Sequence, residues 1–230
     1  PEPEARLALL QQAAFLPLRD TERVLYRACL ARVATGKEDE AGIALTAVLR
    51  RMLPKEAPDV VAMLTSLFEK RRRLQALLQI LPNHLGPYAP KHVAKVGKAL
   101  AAAMAADPLL TPQRVTLAGS FLGYSELAAL FLELSDKRLL HFDTMTAALG
   151  AIARCVHPSQ LEASLGDHAD ARVRRLGFAA LSAASRPKRG WSQQRRARLQ
   201  HYAADPDPLV AGAAAFVFPP QPKKNQATKR

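Results

Sequence analysis

Residues 111–134 read TPQRVTLAGSFLGYSELAALFLEL, and this stretch decides the kind of fold to expect. It is apolar enough to suggest a membrane segment or one core helix. A membrane-spanning helix, however, needs about 20 predominantly apolar residues, and Arg114, Glu126 and Glu133 interrupt this stretch with charge. Gly123-Tyr124-Ser125 also breaks the helical periodicity. The stretch therefore predicts one helix, a tight turn and the start of a second helix.

Similar helix openings recur along the chain. The segments APDVVAMLTSLFEK, APKHVAKVGKALAAAM and TPQRVTLAGSFLG each begin with a small residue and then proline, and valine stands at the third position after proline: Val61, Val93 and Val115. Proline suits a first helical turn because its missing N–H would be unpaired there anyway. No Asn-Gly or Asp-Gly hairpin turn is present. The sequence therefore predicts an all-α protein.

The last third of the chain shows a second repeated pattern. The segment DHADARVRRLGFAALSAAS is echoed by DPDPLVAGAAAFVF, so that Asp170 matches Asp207 and Val173 matches Val210, in both cases 37 residues apart. An offset in the mid-thirties fits two helices with their two turns. We therefore expect antiparallel helix-pair repeats that form a right-handed α-solenoid of about six pairs. The alternative is an irregular helical bundle in which proline only begins helices.

Positive charge is concentrated in parts of the chain. Lysine and arginine total 33 against 20 acidic residues, which gives a net charge of +13 and an isoelectric point near 10.3. Residues 1–60 are balanced, with nine basic and nine acidic groups, whereas residues 171–230 carry thirteen basic groups and two acidic ones. Such a patch favours a polyanionic partner, with nucleic acid before an anionic membrane.

Four clusters of cations are the candidate phosphate contacts. Between Ala171 and Ala204 there are nine basic residues and no acid, whereas a merely solvated helix face would include acids. Trp191, inside that stretch, is expected either to stack on an exposed base or to fasten the linker to the core. The candidate nucleic-acid-binding residues are Arg71, Arg72, Arg73, Lys91, Lys95, Lys98, Arg172, Arg174, Arg175, Arg186, Lys188, Arg189, Trp191, Arg195, Arg196, Arg198, Lys223 and Lys224.

Catalytic and metal-binding patterns are weak, and we predict neither an enzyme nor a cofactor. The sequence has no glycine-rich phosphate loop and no H-E-x-x-H. Cys155 and His157 have the chemistry of metal ligands, but a structural zinc site needs four ligands and no second pair lies nearby. We expect a buried cysteine at a helix end followed by a capping histidine. Asp205 and Asp207 precede a helix, so we expect them to be N-caps.

Two families resemble parts of this sequence. Asp170, Val173-Arg174 and Ala179-Ala180-Leu181 resemble the rhythm of HEAT repeats. The Pro-x-x-Val openings across residues 56–155 are similar to the octotricopeptide- and heptatricopeptide-type repeats of organellar RNA-binding proteins. These resemblances imply one helical repeat domain over residues 1–217, with a neutral part (1–55), repeats (56–155) and a basic HEAT-like part (156–217). A basic extended tail follows at residues 218–230.

The expected function follows from the charge and from these resemblances. We expect a non-enzymatic RNA-binding scaffold subunit of a large ribonucleoprotein, such as a mitochondrial ribosome or an RNA-processing particle, that contacts rRNA and neighbouring proteins. The alternative is a HEAT-type adaptor that binds an acidic protein partner. Some HEAT-like solenoids are DNA glycosylases, but an aromatic content of 6% disfavours a base-cradling pocket.

The expected cellular compartment follows only from the resemblance to organellar RNA-binding repeats. It implies the mitochondrial matrix, with a bacterial cytoplasm as the alternative, and no transmembrane segment is expected. The sequence begins with Pro1 rather than methionine, so we expect it to be trimmed or incomplete at this end.

Overall fold

The computed structural model describes residues 3–15, 23–70, 74–85, 89–185 and 190–220. These residues form thirteen α-helices and two short 3-10 turns, and no β-strand occurs among them. The all-α class predicted from the sequence is therefore confirmed for this part of the chain.

The helices follow one another with short connections. The first seven are α1 (Pro3–Phe15), α2 (Arg23–Thr35), α3 (Glu38–Arg51), α4 (Ala57–Glu69), α5 (Leu74–His84), α6 (Lys91–Met104) and α7 (Thr111–Ala118). The other six are α8 (Tyr124–Asp136), α9 (Phe142–Arg154), α10 (Pro158–Leu165), α11 (Ala171–Ala184), α12 (Gln193–Ala203) and α13 (Pro208–Ala215). The 3-10 turns, Pro54–Glu56 and Pro108–Leu110, lead into α4 and α7.

The apolar stretch at residues 111–134 is divided between two helices. Helix α7 ends at Ala118 and α8 begins at Tyr124, so the predicted division into two helices is confirmed. The break covers residues 119–123, and of the predicted triplet only Gly123 lies in it, because Tyr124 and Ser125 begin α8. Gly123 precedes α8 in an extended conformation, and its backbone N–H donates a 3.2 Å hydrogen bond to Glu126 Oε2. Within the described ranges, no helix has the length and apolar character needed to cross a membrane.

The recurrent proline openings mark helix starts. Pro58 and Pro112 lie in the first turns of α4 and α7, as the pattern predicts. Pro90 differs, because it stands one position earlier and immediately precedes α6 as its cap residue. Of the valines at the third position, Val93 and Val115 are buried, at 1% and 0% exposed, but Val61 is only partly buried. In α4 the fully buried valine is its neighbour Val60. The pattern therefore marks a helix start at all three places and a buried valine at two of them.

Contacts divide the chain into two compact units. Unit 1 contains α1 to α7 and α9, and unit 2 contains α8 and α10 to α13. In unit 1, α3 packs against α1, α2 and α5, while α6 packs against α4 and α7, and α7 against α9. Leucines and valines from these helices form its core. That residues 1–217 form a single repeat domain stays a prediction.

The core of unit 2 joins its last three helices. Helix α11 contributes Phe178 and Leu181, α12 contributes Leu199 and Tyr202, and α13 contributes Val210 and Ala214. Tyr202 is completely buried, and its ring meets the Phe178 ring edge-on at 5.6 Å between centroids.

The residues matched at a spacing of 37 have equal structural roles in unit 2. Asp170 caps α11 by accepting a 2.8 Å hydrogen bond from the Arg172 backbone N–H. Asp207 caps α13 by accepting a 2.9 Å hydrogen bond from the Leu209 backbone N–H. Val173 and Val210 are both 0% exposed. Both helices therefore begin with the same aspartate cap and bury the same valine position.

Candidate nucleic-acid interface

Three lysines share the exposed side of α6. Lys91, Lys95 and Lys98 are all exposed, whereas Val93, Val96, Gly97, Leu100 and Met104 form the buried side of the same helix. Spacings of four and three residues place side chains on one helix face, and the structure agrees with that expectation. The sequence of α6 contains no acidic residue. Among the candidate residues that the structure describes, these lysines form an exposed group of three on one helix.

The Arg174 guanidinium forms several hydrogen bonds inside unit 2. Its Nε donates to Asp205 Oδ2 at 2.7 Å, and its Nη2 donates to Asp205 Oδ1 at 2.8 Å. Its Nη1 donates to the carbonyl oxygens of His168 and Ala169. The hydrogen bond to Asp205 raises the pKa of Arg174 and lowers that of Asp205, in each case against the effect of burial. This guanidinium fixes the turn before α11, so we leave it out of the proposed interface.

Arg198 is also held by acidic groups from outside its own stretch. It donates to Glu162 Oε1 at 2.6 Å and to Asp167 Oδ1 at 2.7 Å, and it lies over the Tyr202 ring, 5.0 Å from the centroid. Tyr202 donates its hydroxyl to the same Glu162 oxygen at 2.8 Å. Although burial disfavours its charge, these carboxylates raise the pKa of Arg198.

The premise that the stretch from Ala171 to Ala204 is uncompensated is therefore wrong at Arg174 and Arg198. The acids that neutralise Arg174 and Arg198 lie at positions 162, 167 and 205, outside the stretch. A count along the sequence does not include them, because the partners meet only when the helices pack.

Arg172 and Arg175 differ from these two arginines. The Arg172 side chain is exposed. Arg175 is partly buried, and its Cζ lies 5.4 Å from the centroid of the Phe178 ring. Burial lowers the pKa of Arg175, which is consistent with a cation that packs on an aromatic ring. Of the two, only Arg172 is exposed.

The start of α12 brings together three of the candidate residues. Trp191 is partly buried and packs against the unit 2 core. Arg195 Nη1 donates to the Gly190 carbonyl at 2.8 Å. Arg196 donates to the Trp191 carbonyl through Nε at 3.3 Å and to the Pro220 carbonyl through Nη2. These contacts favour the interpretation in which Trp191 fastens the segment to the core.

Eight of the candidate residues lie outside the described part of the chain, and their roles stay predictions. They are Arg71, Arg72, Arg73, Arg186, Lys188, Arg189, Lys223 and Lys224.

The candidate residues chosen from the sequence do not include two aromatic side chains that are exposed, those of Phe216 and Phe218. Phe216 is 82% exposed and Phe218 is 83% exposed, close to the Arg196 contact with Pro220. The sequence presents them inside the apolar run from Leu209 to Phe218, which predicts burial. Their alternation with Val217, followed by Pro219 and Pro220, was the available signal that the helix stops before them.

The described residues contain no group of three or more histidine, cysteine, aspartate or glutamate side chains placed to hold a metal ion. Cys155 is only partly buried, so the expectation of a buried cysteine there is wrong. This partial burial still raises the pKa of the thiol, partly offset by a hydrogen bond from the His157 backbone. His157 occupies the cap position of α10, but its side chain makes no capping hydrogen bond, so that part of the expectation is wrong. Asp207 is the N-cap of α13 as expected. Asp205 is not an N-cap, because its carboxylate accepts hydrogen bonds from the Arg174 guanidinium and from the Asp207 backbone N–H.

Because comparison with protein-family models, curated proteins and solved structures finds no match to this chain, its function has to be inferred from its own residues.

Proposed function

We propose that this chain is a non-enzymatic RNA-binding scaffold of the α-solenoid type that works inside a larger ribonucleoprotein. The organellar setting implied by the repeat resemblance belongs to the same proposal. Phosphate neutralisation supplies the binding energy, because RNA carries a regular series of negative charges that cations on a rigid surface can follow.

The lysine face of α6 is the observation that carries this proposal. Lys91, Lys95 and Lys98 are exposed on one side of a helix that contains no acid. Three cations on one helix face form a row of positive charge, and a polyanion laid along that row interacts favourably with each of them.

The solenoid part of the proposal is supported by the equal roles of matched residues. Asp170 and Asp207 cap their helices in the same way, and Val173 and Val210 are buried equally. Leu165 and Tyr202, which are also 37 residues apart, are both completely buried. Residues that recur at a fixed spacing with the same capping and burial are typical of stacked helical repeats.

RNA binding measured against salt concentration tests the proposal. The wild-type chain is compared with K91Q/K95Q/K98Q, and with R27Q/K37Q/K55Q as a control that removes the same charge from exposed positions. A labelled single-stranded RNA serves as the probe. Each lost phosphate contact lowers the slope of log affinity against log salt by about 0.7. We therefore expect the slope of the α6 variant to fall by about 2, while the control keeps the wild-type slope.

Two results would contradict the proposal. If the wild-type chain does not bind RNA above background at about 100 mM salt, the RNA-binding function fails and the acidic-protein adaptor becomes the better hypothesis. If the control variant loses as much slope as the α6 variant, RNA binding is diffuse and the lysine face is not the site.

A further inference from the structure

Two phenylalanine rings that follow α13 are almost completely exposed to water. Phe216 is 82% exposed and Phe218 is 83% exposed, whereas Val217 between them packs against the unit 2 core. Aromatic side chains normally contribute to stability by being buried. Single exposed apolar residues are common on protein surfaces, but two large rings displayed two residues apart indicate a contact surface.

One cation contacts the chain segment that follows these rings. Arg196 donates to the carbonyl of Pro220, which is only two residues, or roughly 7 Å of extended chain, beyond Phe218. Arg195 precedes it on α12, and its Nη1 donates to Gly190. The two carbonyl contacts of Arg196 use two of the five N–H donors of a guanidinium, so this group keeps donor capacity for a phosphate.

We infer that Phe216 and Phe218 form a stacking platform for unpaired bases of single-stranded RNA, with Arg195 and Arg196 contacting the adjacent phosphates. This inference rests on the proposed RNA-binding function and adds the class of RNA and the element that reads it. Every base presents an aromatic face, so such stacking is tolerant of sequence. A duplex keeps its bases stacked on one another and does not offer those faces.

The surroundings of the rings favour RNA over an apolar protein partner. Arg196 contacts the segment that carries the rings, so a ligand that covers both the rings and this guanidinium also meets positive charge. Single-stranded RNA combines aromatic faces with negative charge in one molecule. Trp191 does not serve the same purpose, because it is partly buried against the core.

The test compares affinity for two oligomers of equal length and charge. One is an oligouridine of about 12 nucleotides, and the other is the same ribose-phosphate chain without bases. We expect F216A/F218A to bind the oligouridine at least about tenfold more weakly than the wild-type chain. The base-free oligomer should bind both proteins equally, and the salt slope should be unchanged because phosphate contacts are intact.

Two further variants serve as controls. F142A removes another phenylalanine that is 83% exposed, at the start of α9 in unit 1, and should bind the oligouridine like the wild type. F216Y/F218Y keeps two aromatic rings and should restore most of the affinity. Since the substituted side chains are exposed, these changes should leave the fold intact.

The possible outcomes separate the two proposals. Failure of the wild-type chain to bind either oligomer overturns RNA binding itself, and the stacking inference with it. Suppose instead that the wild type binds both oligomers but F216A/F218A binds oligouridine just as tightly. The stacking inference alone is then overturned, and the rings are better explained as a protein contact. Equal losses on both oligomers, or an equal loss in F142A, would also overturn it.

Discussion

Among individual residues, Arg174 and Asp205 form a bidentate ion pair in unit 2. Two guanidinium nitrogens face both carboxylate oxygens at 2.7 and 2.8 Å, and the side chains are 16% and 5% exposed. Such a bidentate pair is strong because the planar fork matches the carboxylate. Removing one partner of a largely buried pair leaves the other charge without compensation, and that is more costly than the pair's net contribution.

The variant Asp205→Asn is therefore expected to destabilise the protein by about 3 kcal/mol at neutral pH. Urea unfolding followed by circular dichroism measures this change. Asp167→Asn is the matched control, because Asp167 also accepts from an arginine but is 71% exposed, and it should cost less than about 1 kcal/mol. Similar losses in both variants would contradict the assignment of Arg174 to a structural role.

The Arg174–Asp205 pair also predicts how the stability of the fold depends on pH. The hydrogen bond from Arg174, only partly opposed by burial, holds the pKa of Asp205 below its ordinary value. A carboxylate with a lowered folded-state pKa contributes stability above its unfolded pKa and loses it as the pH falls through the folded value. The stability difference between wild type and Asp205→Asn should therefore be constant near neutrality and shrink below about pH 4. A difference that persists undiminished to lower pH would contradict this account.

Among elements, the approach of α10 to α11 depends on two glycines. A Cβ added at Gly177 would lie 2.7 Å from the Gly166 Cα and 2.9 Å from the Tyr202 hydroxyl oxygen. A Cβ added at Gly166 would meet the Tyr202 hydroxyl and the Arg198 guanidinium. The close packing of these helices thus brings Glu162 of α10 within reach of Arg198 and Tyr202 on α12.

Gly177→Ala should consequently destabilise the protein by about 2 kcal/mol, because the added methyl group forces the two helices apart. Gly212→Ala, in α13, should stabilise by about 0.5–1 kcal/mol, because its added Cβ meets nothing within 4 Å and alanine favours helix. The midpoints of urea unfolding of the two variants compare them directly. A stabilising Gly177→Ala would mean that α10 and α11 are not packed this closely.

For the whole molecule, the net charge is expected to affect the unliganded protein and an RNA complex in different ways. A net charge of +13 creates repulsion within the unliganded chain, and salt screens it over a Debye length of about 8 Å at physiological ionic strength. The buried pairs in unit 2 are screened much less. An RNA ligand would neutralise the same charge, and added salt would weaken its binding.

Salt should therefore act in opposite directions on the two states. Between about 20 and 200 mM salt, the melting temperature of the unliganded chain should rise as repulsion is screened. The extra stabilisation given by saturating single-stranded RNA should fall over the same range, because binding weakens. Thermal melts with and without RNA at both salt concentrations measure these trends. A melting temperature of the unliganded chain that falls with salt would show that attractive ion pairs dominate its electrostatics.

The sequence by itself determined the features that depend on local physics. Helical periodicity, the prolines at the starts of α4, α6 and α7, and the break that ends at Gly123 act through the nearest few residues, so they identified the all-α class and most helix starts. The 37-residue spacing likewise matched the two aspartate caps, because capping is a contact between a side chain and its own helix.

Only the tertiary structure decided which cations are paired with acidic side chains and which aromatic side chains are exposed. Arg174 meets an acid 31 residues away and Arg198 meets one 36 residues away, so neither pairing follows from local sequence. Trp191 is packed and Phe218 is exposed because their positions relative to α11 and α12 are set by how those helices pack. The sequence specifies the chemistry of each side chain, but the packing of the helices determines which side chains contact one another.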